Sequence, residues 1–264
     1  MIQFGIYPGG KRWIVTFSYD DGKPEDARLI ELFNAYGVKG TFHLNGNKYL
    51  SATDAELETL RTIYSGHEIS CHTLHHGWPS RMATQSVVSE VLEDRRILEK
   101  IAQYPVVGMS YPFGDYNEKV ASVMQACGIV YSRTVASTNG FRLPEDFMQW
   151  HPTCHHKNAL PLCEKFIENL NAASNPLLYI WGHSYEFDTE EKWAHMEQIL
   201  KLISNNDQIW YATNLEIYNY ITAQRRLRIS VDERMFYNPS DITVWVRRNK
   251  TEIIEIPAGK TVIA

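Results

Sequence analysis

Residues 13–22, Trp-Ile-Val-Thr-Phe-Ser-Tyr-Asp-Asp-Gly, constrain the fold of this chain more than any other stretch. An unbroken run of apolar, β-branched and aromatic residues reads as a buried strand, and its end delivers two adjacent carboxylates and a glycine into a loop. Neighbouring like charges repel. Asp20 and Asp21 therefore need different surroundings: a cation beside one, with the other free to carry protons. The same residues also fit a solvated Asp-Asp-Gly turn ahead of a helix.

Downstream, helical and strand periods alternate. Helices are expected from Pro24 to Tyr36, from Thr53 or Asp54 to Ile63, from Thr84 to about Gln103, and over Asn117–Cys127, Leu162–Leu170, Glu190–Ile203 and Leu215 to about Arg225. Between them lie strands at Gly40–Leu44, His67–His72, Val106–Ser110, Ile129–Arg133, Leu177–Trp181 and Gln208–Tyr211. About seven strands alternating with helices point to an α/β fold, a parallel sheet closed as a distorted (β/α)7-type barrel. A doubly wound open sheet is the alternative, but the chain has no GxGxxG or Walker-type loop. Residues 137–161 show no period and are expected to be a loop excursion. From Leu227 the period becomes two, over 227–231, 242–246 and 252–256. Residues 1–226 are thus expected to form the barrel, and 227–264 a small antiparallel β extension packed on it.

The 264 residues, 44% of them hydrophobic, suffice for a substantial core. A net charge of −5 gives no electrostatic ground for a nucleic-acid or anionic-membrane partner. No apolar run reaches the length of a membrane span, and Met1–Pro8 lacks the pattern of a secretory leader. The cytoplasm is the expected compartment, or the outside if a leader has been cleaved. Cys71, Cys127, Cys154 and Cys163 contain no C-x-x-C pair and read as reduced packing thiols.

In a barrel the strand tips share one face, and here they carry Asp20 and Asp21, His72–His76, Ser110–Gly114 and Trp181–His183. His72 and His76, spaced i and i+4, fall on one side of a helical turn. With Asp21 they make a two-histidine, one-carboxylate set with open positions, which suits Zn²⁺ and also accommodates Fe²⁺, Co²⁺ or Ni²⁺. A hydrogen-bonded histidine pair is the alternative, and His75 points elsewhere. The run Trp150–His156 holds three histidines and a cysteine, readable as a second metal site or as the lining of a substrate groove. Tyr185 and Glu186 contact sugar hydroxyls or close a loop, and Trp78 and Tyr116 are rim aromatics suited to stacking on sugars or to packing.

Thr16–Gly22 resembles T-F-D-D-G, the first motif of the polysaccharide deacetylases (the NodB-homology group, carbohydrate esterase family 4), with two residues inserted before the Asp pair. His72–His76 is similar to the second motif, H-[S/T]-x-x-H, Tyr111–Gly114 to the end of the third, R-x-P-Y-G, and His183 to the histidine of the fifth, L-x-H. The resemblance runs from about residue 13 to 215 and leaves the β extension uncovered. It implies a metal-dependent hydrolase that removes acetyl groups from N-acetylated sugars, oligosaccharides or polysaccharides. Asp21, His72 and His76 would hold the divalent metal that activates the attacking water, Asp20 would be the general base and His183 the general acid. The backbone N–H near Phe113 would hold the oxyanion, with Tyr111, Trp181, Trp150 and Arg133 completing the oxyanion and substrate wall. Ser110 stands where the third motif has arginine, and Arg133 is the substitute cation. Trp181 replaces the leucine of the fifth motif and reshapes the acetyl pocket. The fourth motif, D-x-x-D-W, is missing; Asp146 and Trp150 are its nearest material. An allantoinase-like hydrolase of a non-sugar amide, or a non-catalytic carbohydrate-binding barrel, would share much of this pattern.

Overall fold

A computed structural model describes residues 1–170 and 176–264. After β1 (Ile2–Gln3) comes β2 (Trp13–Asp20), buried along its whole length because it has structure on both faces. Trp13, Val15, Phe17 and Tyr19 join the main apolar core. The alternate residues Thr16, Ser18 and Asp20 meet Asn214, His43 and Arg133 inside the barrel. The barrel therefore has an apolar jacket and a partly polar interior.

Around β2 lie β3 (Gly40–Leu44), β4 (Glu68–Cys71), β5 (Gly108–Ser110), β6 (Tyr131–Arg133), β7 (Cys154–His155), β8 (Leu177–His183) and β9 (Ile209–Tyr211). They run parallel in the order β6-β5-β4-β3-β2-β8-β7, with β9 beside the first residues of β2. The helices are α1 (Asp26–Ala35), α2 (Asp54–Ile63), α3 (Thr84–Ala102), α4 (Glu118–Ala126), α5 (Ala159–Glu168), α6 (Glu190–Ile203) and α7 (Asn214–Arg225). Thr53 and Glu56 form a reciprocal cap at α2, and Thr213 and Glu216 repeat it at α7. This is the expected distorted (β/α)7-type barrel.

Residues 137–161 are not a plain excursion. Trp150 N–H donates to the Ser132 carbonyl at 3.0 Å, and Cys154 pairs with Ile180 four residues later. One extended segment thus touches β6 on one side and pairs with β8 on the other, which closes the barrel. No period shows there because the paired stretch is only two residues long and is flanked by 3-10 turns. α5 also begins at Ala159, three residues before the expected Leu162.

The extension contains β10 (Arg228–Ile229), β11 (Met235–Tyr237), β12 (Val244–Arg248), β13 (Glu252–Ile256) and β14 (Thr261–Ile263). Two three-stranded antiparallel sheets, β1-β12-β13 and β10-β11-β14, enclose Phe236, Val246, Ile254 and Ile256. Residues 2–3, grouped with the barrel by the sequence reading, pair instead with β12. Tyr220 on α7 fastens the extension: its hydroxyl donates to the Ile6 carbonyl at 2.6 Å and accepts from Trp245 N–H at 3.1 Å. Among the described residues no helix is long and apolar enough to cross a membrane, and all four cysteines are buried and unpaired.

Candidate active site

The alternation of β2 turns Asp20 into the barrel, and a left-handed backbone at Asp21, φ 79°, swings the next carboxylate toward the loop after β4. Gly22 continues the turn at φ 57°, where a Cβ would lie 2.8 Å from Leu44 Cδ2 and 2.9 Å from the Tyr49 hydroxyl. The Asp-Asp-Gly order thus separates two carboxylates that a regular strand would leave side by side. Period two along β4 also carries Glu68, Ser70 and then His72 inward. Beyond His72 the chain is not a helical turn, which corrects the expectation from the i, i+4 spacing. An irregular loop brings His76 back, with Thr73 at φ 61° and His76 at φ 56°, while Asn45 Nδ2 donates to the His72 and Thr73 carbonyls at 2.9 Å each. His75 turns away to Glu90, 2.7 Å from its Nδ1.

Asp21 Oδ1 lies 3.7 Å from His72 Nε2 and 3.5 Å from His76 Nε2. The three ligand atoms are within 4.8 Å of one another. His72 Nδ1 donates to the Ser110 carbonyl at 2.9 Å, which leaves the Nε2 lone pair facing the other two donors. Two imidazoles and a carboxylate, one of them with its tautomer set from behind, fit a divalent ion of the zinc type.

Next to this set, Asp20 is buried and bonded to the Arg133 guanidinium and, at 3.0 Å, to the Ser110 hydroxyl. Burial alone would raise its pKa, but Arg133, with help from His72, His43 and His183, holds the carboxyl well below the usual range. His183 pairs with Asp20 in the β2–β8 register. Its Nδ1 is 3.4 Å from Glu186 Oε2. Burial pushes the imidazole pKa down, yet the Glu186 bond and the charges of Asp20, Glu186 and Asp21 leave it raised. At the rim Phe113, φ 58°, stacks on Trp78 with ring centroids 4.0 Å apart and meets His76 at 4.4 Å. Four non-glycine residues of the site, Asp21, Thr73, His76 and Phe113, thus hold left-handed backbone, each at a cost of roughly 1–3 kcal/mol.

Residues 8–132 match the sequence model of polysaccharide deacetylases. This stretch is similar to the polysaccharide deacetylases. Over 137 residues it is 28% identical to chitin deacetylase 1 of Cryptococcus neoformans var. grubii, covering 51% of this chain and 28% of that protein. Over 113 residues it is 31% identical to an Arthroderma benhamiae protein named probable peptidoglycan-N-acetylglucosamine deacetylase, covering 42% of this chain and 26% of the relative. The chain therefore spans well under half the length of these two relatives. A Mycobacterium smegmatis structure described as a polysaccharide deacetylase superposes with a TM-score of 0.63 at 17% identity, over 83% of this chain and 93% of that one, a likeness of fold.

The stretch matching the deacetylase family stops short of Arg133, Trp150, Trp181 and His183, so their placement comes from the structure alone. Asp20, Asp21, His72, His76 and Arg133 gather as one group, with His183 on the neighbouring strand. Three of the expected substrate-wall residues need correction. Tyr111 is fully buried, its hydroxyl donating to the Met148 carbonyl at 3.0 Å. Trp150 is fully buried against Tyr131, Phe147 and Tyr179, as closure of the barrel requires. Arg133 is equally sealed and reaches Asp20 rather than open solvent. Trp181 forms an inner wall, 4.5 Å beneath the Arg133 guanidinium. Phe113 remains at the exposed rim. Sequence reasoning undervalued two residues. Ser110, read only as a lost arginine, bridges Asp20 and His72, and Glu186 holds His183, a role its i+3 spacing could have suggested.

Proposed function

We propose that the chain hydrolyses the acetamide of an N-acetylated sugar or oligosaccharide, releasing acetate and a free amine. Asp21, His72 and His76 would hold the divalent ion, Zn²⁺ first among Zn²⁺, Co²⁺, Ni²⁺ and Fe²⁺. When bound, that ion supplies a Lewis acid that polarises the acyl oxygen and makes a water molecule acidic enough to attack. Asp20, kept ionised by Arg133, accepts the proton of that water, and Ser110 fixes the carboxylate by bonding its other oxygen. The Phe113 N–H lends a donor to the charge developing on the acyl oxygen. His183, its proton retained through Glu186, protonates the departing nitrogen, which would otherwise be a poor leaving group. The observation that carries this reading is the placement of an ionised, arginine-held carboxylate 3.9 Å from His72 Nε2 and next to a separate three-ligand set.

The test measures acetate release from a panel of N-acetylated oligosaccharides, using protein stripped by chelator and then resupplied with Zn²⁺. Release should vanish on stripping and return with metal. Asp20→Asn should lower the rate by about 10²–10⁴-fold while metal content stays unchanged. Failure of reloaded protein to release acetate from any substrate, or an Asp20→Asn variant as fast as the native chain, would overturn the reading.

A further inference from the structure

Glu186 receives more donors than one carboxylate needs. Its Oε2 lies 2.9 Å from His155 Nε2, 3.4 Å from His183 Nδ1 and 3.5 Å from His156 Nε2. The same oxygen accepts the His183 main-chain N–H at 3.3 Å, and Lys157 Nζ occupies Oε1 at 2.9 Å. Three imidazoles thus converge on one oxygen, His155 at hydrogen-bond length and the other two at 3.4 and 3.5 Å, longer than good hydrogen bonds but within the spacing of atoms that share a metal.

Lys157 N–H donates to His155 Nδ1 at 3.3 Å, so Nε2 is the nitrogen that faces Glu186. Trp181 packs edge to face against His155 at 4.8 Å and limits its rotation. On the inner side, His156 stacks on Tyr19 and Phe187 and lies against Gly182, where a Cβ would sit 2.1 Å from its Nδ1. His155, His183 and Glu186 each keep their side chains 15–22% exposed, enough for an ion to reach them. Cys154 takes no part: it is sealed in the core, and burial pushes its thiol up to about 12. His151 is likewise turned away, bonded to the Thr134 hydroxyl at 2.6 Å. Only part of the histidine-rich run therefore faces this point.

We propose that His155 Nε2, His183 Nδ1 and Glu186 Oε2 form a second divalent-metal site, separate from Asp21, His72 and His76. Two neutral imidazoles and a carboxylate suit Zn²⁺ or Co²⁺, with His156 Nε2 as the adjacent fourth donor. Loading moves the His155 proton from Nε2 to Nδ1, which gives up the Lys157 N–H bond there and keeps the ring neutral. The consequence for turnover rests on the proposed role of His183. An ion on its Nδ1 takes Glu186 away from it, so excess Zn²⁺ suppresses hydrolysis that the first equivalent supports.

Elemental analysis and calorimetric Zn²⁺ titration of the full chain test this. The native chain should bind about two equivalents, and His155→Ala and His76→Ala should each lose a different one. His155→Gln serves as the milder variant, with thermal melting to confirm that each protein is folded. Inhibition by excess Zn²⁺ should disappear in the His155 variants. A single equivalent lost in His76→Ala would overturn the second site and leave the catalytic reading intact. A single equivalent kept in His76→Ala and lost in His155→Ala would sustain the second site and remove the metal from the catalytic reading. Two equivalents that survive both His155→Ala and Glu186→Gln would also overturn it.

Discussion

Asp20 is a charged side chain sealed inside a barrel, and Arg133 is what makes that tolerable. The guanidinium takes one carboxylate oxygen, Ser110 the other, and Ser18 and the Thr134 carbonyl occupy further guanidinium donors at 3.1 Å. Removing one partner leaves a buried charge without compensation. Arg133→Met should therefore destabilise the protein by about 3–5 kcal/mol at pH 7, read by denaturant unfolding. Asp20→Asn in the Arg133→Met background should recover part of that loss, because no naked charge remains. A loss no larger than that of an ordinary surface substitution would contradict the pairing. At this scale the candidate residues were legible from residue type and motif, and so was the need for a substitute cation once Ser110 stood at the arginine position. The importance of Glu186 was not, because it depends on His155 and Lys157, which arrive from another loop.

At the scale of elements, the site rests on how strand ends are tied to loops and helices. Ser80 N–H and hydroxyl donate to the two oxygens of Asp115 at 2.8 and 2.7 Å, and Trp78 stacks on Phe113. The loops after β4 and β5, which carry His76 and Phe113, are thus tied to each other. α1 holds a different device in its first turn. Asp26 is buried, accepts the Tyr64 hydroxyl at 2.8 Å on Oδ2, and has no partner for Oδ1 among the described residues. Burial pushes its pKa up to about 7. The unfolded carboxyl releases its proton near pH ~4, so the stability contributed by this group is complete below that pH and is lost as pH rises through 7. Asp26→Asn should therefore gain roughly 2–4 kcal/mol relative to the native chain between pH 4 and 8, measured by unfolding at each pH. A pH-independent difference would mean that the carboxyl titrates normally. The helix start at Thr53 was readable because capping is local, whereas the left-handed loop behind His76 mimics helical spacing and was not.

For the whole molecule, closure is the decisive event. Residues 150–155 connect β6 to β8, and Trp150 fills the interior between Tyr131, Phe147 and Tyr179. Trp150→Ala should cost about 3–5 kcal/mol of stability. Trp150→Phe should cost less, since the buried indole N–H has no partner among the described residues. Unfolding midpoints of the two variants check the order, and equal losses would contradict it. The sequence by itself determined the alternation of strands and helices, the switch to period two after Leu227 and the candidate residues at the strand tips, because periodicity, capping and residue type are written over short spans. Only the tertiary structure decided that Arg133 reaches Asp20, that Trp150 closes the barrel instead of lining a groove, that residues 2–3 join the extension, and that His155, His156 and His183 meet at Glu186. Those outcomes depend on which strand ends closure brings within a few ångströms, a distance that no local pattern encodes.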